Sequence, residues 1–415
     1  MALPRRTVAY AGCGAALAFM VYQLTTQTSL LPLFRQVCAD LSVNDMQGAV
    51  ISASFLVVYA CMQIPAGVLI DRFGSDIIVP VCCLAVGGGA LLFAGAQSLT
   101  GALVARMLMG IAAAFAFPSI GMAARRALPA SMFPLMMGIA DVGLGLGGVI
   151  GNLGAARLEP LLGWRGTMQA CAVVAVPLAF IAWWLLPRTW FGPAPSIRHS
   201  SQPGGGLRSV LASREVRLAA IIYGGGCGTM FGFGSLWGNH YAMAWDESAA
   251  NASAISTAFF VGLGLGAPLT GWLGGKLGPE RPLKWGLWLS LIMLVVRLKP
   301  RLLIAPDLPR IITPPVWFDC VNVALIGIGV AATVLAFEIG CRGLPARLTG
   351  TTVGVINLAG VGCGALLQVL PGIVPQLMNH TPFVEVQYAN LFFVAALVVA
   401  LVAFLRLPRS VVSRS

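Results

Sequence analysis

The dominant pattern in this sequence is a series of long apolar segments separated by short polar ones. An α-helix needs about 20 mainly apolar residues to cross the hydrocarbon core of a lipid bilayer. Segments of this kind lie near residues 8–31, 46–70, 77–97, 99–123, 132–156, 167–187, 218–241, 250–274, 283–297, 316–340, 350–374 and 386–406. The pattern therefore predicts an all-α membrane protein with twelve transmembrane helices, which we call spans one to twelve.

A polar stretch near residues 189–216 separates the sixth span from the seventh. It contains Pro193, Pro195 and three consecutive glycines, a composition that breaks helices and is typical of linkers. We therefore predict an N-terminal six-helix bundle at 1–188, a cytoplasmic linker at 189–216 and a C-terminal six-helix bundle at 217–415.

The two predicted bundles repeat each other in sequence. The matched pairs are Arg126 with Arg342, Gly138 with Gly354 and Asp141 with Asn357 at a shift of 216 residues, and Gly67 with Gly271, Arg72 with Lys276 and Gly74 with Gly278 at a shift of 204. Many alternating-access carriers are built from two six-helix halves related by an axis along the membrane normal. The repeat therefore predicts two pseudo-symmetric bundles.

Composition and charge narrow the class of protein. Only 10% of the 415 residues are charged, whereas soluble proteins have about 25%. The net charge of +12 comes from basic residues in short loops, a pattern that reflects membrane topology and argues against a nucleic-acid partner. We predict a multi-pass protein of the cell inner (cytoplasmic) membrane with both termini in the cytoplasm. The basic cluster from Arg297 to Arg310 falls on the predicted outer side and is not explained by this rule.

The chemistry-bearing residues do not form a pattern typical of enzymes or cofactor proteins. The ten cysteines form no CxxC pair and lie mostly in apolar stretches, where cysteine behaves as a small hydrophobic residue. None of His199, His240 and His380 lies near the middle of a span, which argues against haem ligation and a catalytic cluster. A phosphate-binding GxxxxGK[ST] loop is missing from the sequence, so we expect no cofactor, no resident metal and no ATP drive.

One loop resembles a known signature. The segment Gly67-Val-Leu-Ile-Asp71-Arg72-Phe-Gly74, which follows span two, is similar to the signature loop of the major facilitator superfamily. Arg106, followed by a glycine four residues later, and the Gly-Trp-Arg triplet ending at Arg165 are further points of similarity. The resemblance implies the fold of that superfamily and a secondary transporter that works by alternating access. The equivalent loop of the second half has Gly275 where the acid would be, and span five lacks the Gly-Pro pair of antiporters.

Several residues near the cytoplasmic ends are candidates for gating. The resemblance implies that Asp71 can meet the N-terminal end of a facing helix, a charge–dipole contact made in one of two conformations. The spacing of Glu338 and Arg342 predicts a local pair at an inner helix end. The complete set of predicted gating residues is Gly67, Asp71, Arg72, Gly74, Lys276 and Arg342.

Charged side chains inside the spans are the sharper functional signal, because each costs several kcal/mol unless it faces a cavity or a partner. Arg106 in span four is a candidate for binding an anionic substrate group, with a structural or gating role as the alternative. Asp141, Asp319 and Glu338 are candidates for proton coupling.

Polar and small residues complete the candidate list. Span one carries seven polar residues between Tyr22 and Ser29, which predict a hydrated cavity. The candidate substrate contacts, besides Arg106, are Tyr22, Gln23, Gln27, Trp237, Asn239 and Asn357. The glycines that recur every four residues from Gly143 to Gly151 predict close helix packing, which we expect between the two halves.

These observations favour a carrier that moves a small polar or anionic metabolite and is coupled to protons. It would work as a monomer in the lipid bilayer. The alternatives are a copper-like transition-metal uptake carrier, for which Cys61, Met62 and Met230 would be soft ligands, and a drug/proton efflux antiporter. A membrane enzyme and a non-transporting receptor on the same scaffold are weaker alternatives.

Overall fold

The computed structural model describes residues 5–186, 205–238, 249–298, 315–378 and 382–408. The first half of the chain forms α1 (Arg5–Thr28), α2 (Leu30–Asp40), α3 (Asp45–Phe73), α4 (Ser75–Ala94), α5 (Leu99–Ala113), α6 (Ala116–Ala127) and α7 (Phe133–Leu185). The second half forms α8 (Gly205–Ala212), α9 (Arg214–Thr229), α10 (Ala249–Leu277), α11 (Glu280–Arg297), α12 (Val316–Ala331), α13 (Ala336–Cys341), α14 (Thr349–Met378) and α15 (Pro382–Leu405). These described residues contain no strand, so the all-α prediction is confirmed for them.

Within the described ranges, nine helical stretches are long and apolar enough to cross a membrane. One of them, Ala130–Leu185, is divided by a turn at Gly163 and supplies two crossings. Two further helices, α1 and α11, are of comparable length but carry polar or charged side chains near their ends. Adding them gives the predicted twelve spans.

The turn at Gly163 corrects a predicted loop. Helix α7 continues through residues 157–162, where the sequence predicted an outer loop between spans five and six. The direction of the chain changes at Gly163, whose φ of 65° lies in the left-handed region that residues with a Cβ rarely adopt. The connection between the two spans is therefore one glycine and not a ten-residue loop.

Two other predicted boundaries also differ from the structure. Span one bends at Ser29 and continues as α2 to Asp40, with Pro32 in the first turn, where its missing N–H is tolerated. The predicted linker at 189–216 contains the helix α8, and α9 already begins at Arg214. The earlier part of the linker lies outside the described residues.

Contacts divide the chain into two compact units. Unit 1 comprises residues 1–130, 140–210 and 343–355, and unit 2 comprises residues 131–139, 211–342 and 356–415. In unit 1, α5 packs between α3 and α4, and α1 packs on α6. In unit 2, α10 and α11 pack on α12, and α15 packs on α9.

The sequence repeat is visible in local geometry. Gly74 joins α3 to α4 and Gly278 joins α10 to α11, and their φ angles are 84° and 80°. Both values require a residue without a Cβ. The two signature loops therefore end at equivalent glycines with similar φ angles.

Candidate substrate and gating sites

Arg106 is the most deeply buried charged side chain of unit 1. It lies in the middle of α5, within the first third of span four, and only 1% of its surface is exposed. Its Nη2 donates a long hydrogen bond of 3.5 Å to the carbonyl of Gln27. Its guanidinium carbon lies 5.0 Å from the ring centre of Phe55. Its Nε and Nη1 atoms have no hydrogen-bond partner among the described residues.

Among the described residues, no carboxylate forms an ion pair with this buried positive charge. A charge removed from water costs several kcal/mol unless it is paired and hydrogen-bonded. The weak bond to a carbonyl and the aromatic ring offset only part of that cost. The free N–H groups of Arg106 can therefore bind an anion, which would supply both the missing charge and the missing acceptors.

Two glutamines of α1 lie on the same side of that helix, because they are four residues apart. The backbone carbonyl of Gln27 accepts the hydrogen bond from Arg106. Gln23 is 1% exposed, and its Nε2 reaches only the sulfur of Met20, at 3.3 Å. The Oε1 of Gln23 has no partner among the described residues. Unsatisfied polar atoms therefore occur on both α1 and α5.

The other polar residues of span one are used differently from the prediction. Their hydroxyl groups donate to backbone carbonyls of α1 and α7. The bonds join Tyr22 to Cys171 at 3.0 Å, Thr25 to Gly147 at 3.2 Å, Thr26 to Tyr22 at 2.8 Å, Thr28 to Leu24 at 2.9 Å and Ser29 to Thr25 at 2.7 Å. These hydroxyl groups are satisfied by backbone carbonyls. Of the polar residues of span one that were predicted to line a hydrated cavity, the two glutamines therefore remain as candidates.

The glycine seams also lie elsewhere than predicted. A Cβ at Gly147 would lie 2.6 Å from the carbonyl oxygen of Val21, so α7 packs on α1 within unit 1. Similarly, Gly266 packs on Ile328 within unit 2. The prediction that such seams join the two halves was therefore wrong. Small residues recur wherever neighbouring helices approach closely, and the spacing alone does not show which helix is the partner.

The candidates of the second half lie in unit 2. The indole of Trp237 donates to the carbonyl of Gln368 at 3.1 Å, and the Gln368 amide donates to the carbonyl of Phe231 at 3.1 Å. Trp237 ends a π-helix, Met230–Trp237, that continues α9. Asn357 is buried in α14. Asn239 lies outside the described residues.

Asp319 has an unexpected partner. Arg297 Nη1 lies 2.7 Å from Asp319 Oδ1 and 3.4 Å from Asn322 Oδ1, and both charged side chains are buried. The first arginine of the unexplained basic cluster is therefore the counter-ion of an acid and not a free loop charge. The cluster residues after Leu298 lie outside the described ranges.

This pair leads to a stability prediction. Replacement of Asp319 by Asn is expected to destabilise the protein by about 3–5 kcal/mol, because it leaves the Arg297 charge buried without a counter-ion. The double change of Arg297 to Met and Asp319 to Leu should restore most of the melting temperature, measured by intrinsic fluorescence in detergent. An unchanged melting temperature for the Asp319→Asn variant, together with a lost pH dependence of uptake, would instead support the proton-coupling role.

Asp141 is buried in α7 and makes no hydrogen bond or ion pair with the described residues. Glu338, by contrast, lies with its Oε1 3.7 Å from Arg342 Nε. Of the three predicted proton-coupling acids, Asp141 is thus the one without a cationic neighbour in the described part of the chain.

The Arg342 pair contains a residue that the sequence analysis missed. Arg342 also forms a hydrogen-bonded ion pair with Glu280 at the start of α11. The repeat contained a signal for this residue, since a shift of 204 places Asp76 on Glu280, and both acids begin the helix after a signature loop. Lys276 lies elsewhere in that loop, 4.0 Å from the ring centre of Trp272.

The carboxylate of Asp71 caps the N-terminus of α14 within unit 1. It accepts hydrogen bonds from the backbone N–H groups of Gly350 and Thr351, both at 2.7 Å, and from the Thr351 hydroxyl at 2.5 Å. Unpaired N–H groups and the helix dipole make this position favourable for an anion. Gly67 allows the approach, because a Cβ there would meet the carbonyl of Gly350. Arg72 is exposed and stacks on Phe73.

In the second half, α10 crosses the start of α7 at the equivalent position, but the signature loop there has no acid. A Cβ at Gly271 would lie 2.7 Å from the carbonyl of Pro134, so α10 approaches the start of α7 closely within unit 2. Gly275 takes the place of Asp71 and lies against the carbonyl of Ser131. Proline has no N–H to donate. Of the two crossings, only the first has a carboxylate bound to a helix N-terminus.

The Gly-Trp-Arg triplet connects three helices of unit 1, α2, α4 and α7, through hydrogen bonds. Arg165 Nη1 donates to the carbonyls of Ala94 and Ala96 at 2.6 and 2.8 Å, beyond the C-terminal turn of α4. The indole of Trp164 donates to Asp40 at 2.7 Å. The triplet therefore has a structural role, which the resemblance alone did not specify.

Comparison with known proteins places these features in a family. The family model described as Major Facilitator Superfamily matches residues 9–369. The E. coli fucose:proton symporter FucP has a similar fold, with a TM-score of 0.69 and 16% identity over 94% of this chain and 97% of that one.

The curated relatives are more similar in sequence. A gallate transporter of Pseudomonas putida is 31% identical over 176 residues, which cover 42% of this chain and 37% of the relative. The probable nitrate/nitrite transporter NarK2 of Mycobacterium tuberculosis is 24% identical over 354 residues, which cover 79% of this chain and 80% of the relative. The match to the gallate transporter thus spans well under half of its length. With the family model covering most of the sequence, the chain belongs to the Major Facilitator Superfamily and is a multi-pass membrane protein.

Proposed function

We propose that this transporter carries small organic anions that bear a single carboxylate, and that Arg106 binds the carboxylate. The observation that carries the proposal is a fully buried guanidinium whose Nε and Nη1 nitrogens donate to no described residue. Arginine suits carboxylates because its planar fork can donate two parallel hydrogen bonds.

The surroundings of Arg106 favour an organic anion over an inorganic one. The Phe55 ring offers an apolar surface beside the charge. The amide of Gln23, one helical turn before Gln27 on α1, has an unused acceptor. An apolar wall with a few convergent polar groups is typical of organic-ligand sites. The amide oxygen of Gln23 can accept a hydrogen bond from a hydroxyl group of an organic anion, and nitrate has no hydroxyl group.

The names of the relatives support an anionic substrate. They include, besides the gallate and nitrate/nitrite transporters, a probable sulfoacetate transporter of Cupriavidus necator that is 27% identical over 169 residues, covering 41% of this chain and 37% of the relative. All three names refer to anions, and two of them refer to carboxylates. The short matches support the class of substrate and not a particular compound.

We further propose that the transporter is a monomeric proton symporter of the cytoplasmic membrane, with both termini inside. Asp141 is the proton-coupling residue in this proposal, because Asp319 is paired with Arg297 and Glu338 with Arg342. Asp141 is buried, and no ion pair with the described residues has to break when it takes up or releases a proton.

Replacement of Asp141 by Asn is expected to flatten the pH dependence of uptake, because the amide cannot release a proton. The measurement is uptake into proteoliposomes at several external pH values, with Asp76→Asn as a matched control on another helix. Substrate exchange without a gradient should survive, since it needs no net proton movement. A retained pH dependence would remove Asp141 from the coupling role.

The test of the substrate class is a thermal-shift screen of the purified protein with gallate, sulfoacetate, nitrate, fucose, a lipophilic cation and copper salts. A ligand that binds only the folded state raises its melting temperature. We expect gallate or sulfoacetate to stabilise the protein and fucose to have no effect. Stabilisation by copper alone would favour the metal-uptake alternative, and stabilisation by the lipophilic cation alone would favour drug efflux.

A further inference from the structure

Helix α5 is docked on α3 through a glycine. A Cβ at Gly110 would lie 2.5 Å from the carbonyl oxygen of Phe55 and 3.3 Å from its Cα. The obstructing atoms are backbone atoms, so no side-chain movement could relieve the contact. Because Gly110 lies one helical turn after Arg106, this crossing fixes the height of Arg106 relative to Phe55.

The Phe55 side chain lies against the guanidinium of Arg106, whose height is set by the contact of Gly110 with α3. Phe55 is fully buried, and its ring stacks on Tyr59 at 6.2 Å between ring centres with an angle of 13°. The guanidinium carbon of Arg106 lies 5.0 Å from the same ring centre. The ring therefore contacts both a neighbouring aromatic side chain and the arginine.

An aromatic ring has a particular effect on a buried arginine. Its face attracts the cation without accepting the conventional hydrogen bonds that a carboxylate would take. The charge is stabilised and oriented, while its N–H groups stay available. An acid at position 55 would instead neutralise the guanidinium and compete with an anionic ligand.

We infer that Phe55 and Gly110 are positioning residues that hold Arg106 ready for a single carboxylate, an inference that rests on the proposed function. Gly110 sets the distance between the two helices, and Phe55 orients the guanidinium. Neither residue needs to touch the substrate. This gives a physical reason for the four-residue spacing of Arg106 and Gly110.

The test compares Phe55→Leu, Phe55→Tyr and Gly110→Ala for binding and uptake of gallate, sulfoacetate and nitrate. Phe55→Leu is expected to raise the KM for the carboxylate that binds best about tenfold with little change in kcat. Phe55→Tyr should retain the wild-type KM, since the ring face is kept. Gly110→Ala should raise the KM at least as much as Phe55→Leu does. The control is Gly88→Ala, which has open space around the added methyl group and should leave the KM unchanged.

A double-mutant cycle separates positioning from direct contact. In the Arg106→Gln background, Phe55→Leu should cause no further loss of gallate binding. A further tenfold loss there would show that Phe55 contacts the ligand itself and would overturn the positioning role. Melting temperatures of all variants identify any that fail to fold, and Phe55→Leu keeps the test decisive should Gly110→Ala be one of them.

The outcomes also separate this inference from the proposed function. If Arg106→Gln leaves anion binding unchanged, or if none of the three anions binds the wild type, the proposed function fails and the inference fails with it. If Arg106→Gln abolishes binding but Phe55→Leu and Gly110→Ala leave the KM unchanged, only the inference is wrong.

Discussion

Replacing Arg106 with glutamine is expected to lower the affinity for carboxylate substrates at least about 100-fold, which corresponds to about 2.7 kcal/mol. Truncating one partner of a buried, hydrogen-bonded charge pair typically costs about 2–5 kcal/mol. Glutamine keeps a donor but not the charge, so the expected loss lies within this range. Arg106→Lys should be intermediate, because a lysine keeps the charge without the planar fork.

The same substitution should raise the melting temperature of the ligand-free protein. The wild-type guanidinium is buried without an acid among the described residues, and removing an uncompensated charge removes its desolvation cost. A purely structural arginine would behave in the opposite way, since its loss would destabilise the fold. Thermal unfolding and gallate binding of one variant therefore distinguish the two roles.

The control for Arg106 is Arg157→Gln, an exposed arginine of α7. It should leave both the melting temperature and the affinity unchanged, because exposed charges contribute little. A lower melting temperature for Arg106→Gln with unchanged affinity would show that Arg106 has a structural role and does not bind the anion.

Replacing Asp71 with asparagine is expected to slow transport about tenfold or more. The carboxylate accepts three hydrogen bonds at the N-terminus of α14, and an amide would turn one acceptor into a donor that faces N–H groups. The lost charge–dipole contact and the unsatisfied donor together cost about 2–4 kcal/mol. We propose that this contact is made in only one conformation of the cycle, so its loss shifts the balance of conformations.

Two measurements check the Asp71 prediction. Uptake into proteoliposomes reports the rate, and hydrogen–deuterium exchange of residues 346–355 reports whether the start of α14 opens more often. Asp76→Asn is the matched control, because this acid lies five residues further along, in the first turn of α4. Unchanged uptake and unchanged exchange in the Asp71 variant would show that the contact is not a latch.

The comparison of the two signature loops bears on this gate. The sequence alone shows that Gly275 replaces the acid in the second loop. The structure adds that the equivalent helix start has Pro134, which offers no N–H. The second crossing thus lacks the acid and one of the two equivalent N–H donors, so the first crossing carries the electrostatic part of the proposed gate.

Some predictions depended on local properties and were confirmed. Hydropathy over about 20 residues identifies spans because the bilayer has a fixed thickness, and the twelve spans agree with the helices and with the family. The turn glycines Gly74 and Gly278 were matched by the repeat because a left-handed backbone leaves little choice of residue. Length and backbone geometry act on each segment separately, so a sequence can show them.

Other features depended on which helix lies next to which. The hydroxyl groups of span one looked like a cavity lining because their acceptors, the carbonyls of α7, are more than a hundred residues away in sequence. The ion pair of Asp319 with Arg297 and the contact of Arg106 with the Phe55 ring could not be predicted for the same reason, because the partners lie on different helices.

The sequence by itself determined the membrane class, the number of spans, the repeat and the rare charges inside the spans, because a bilayer penalises each charge wherever it lies in the fold. Only the tertiary structure decided which of those charges are paired. Asp319 has its arginine and Asp71 has its helix end, while two nitrogens of Arg106, Nε and Nη1, have no partner among the described residues. Pairing is a property of distances between helices, and hydrophobic patterns carry no information about those distances.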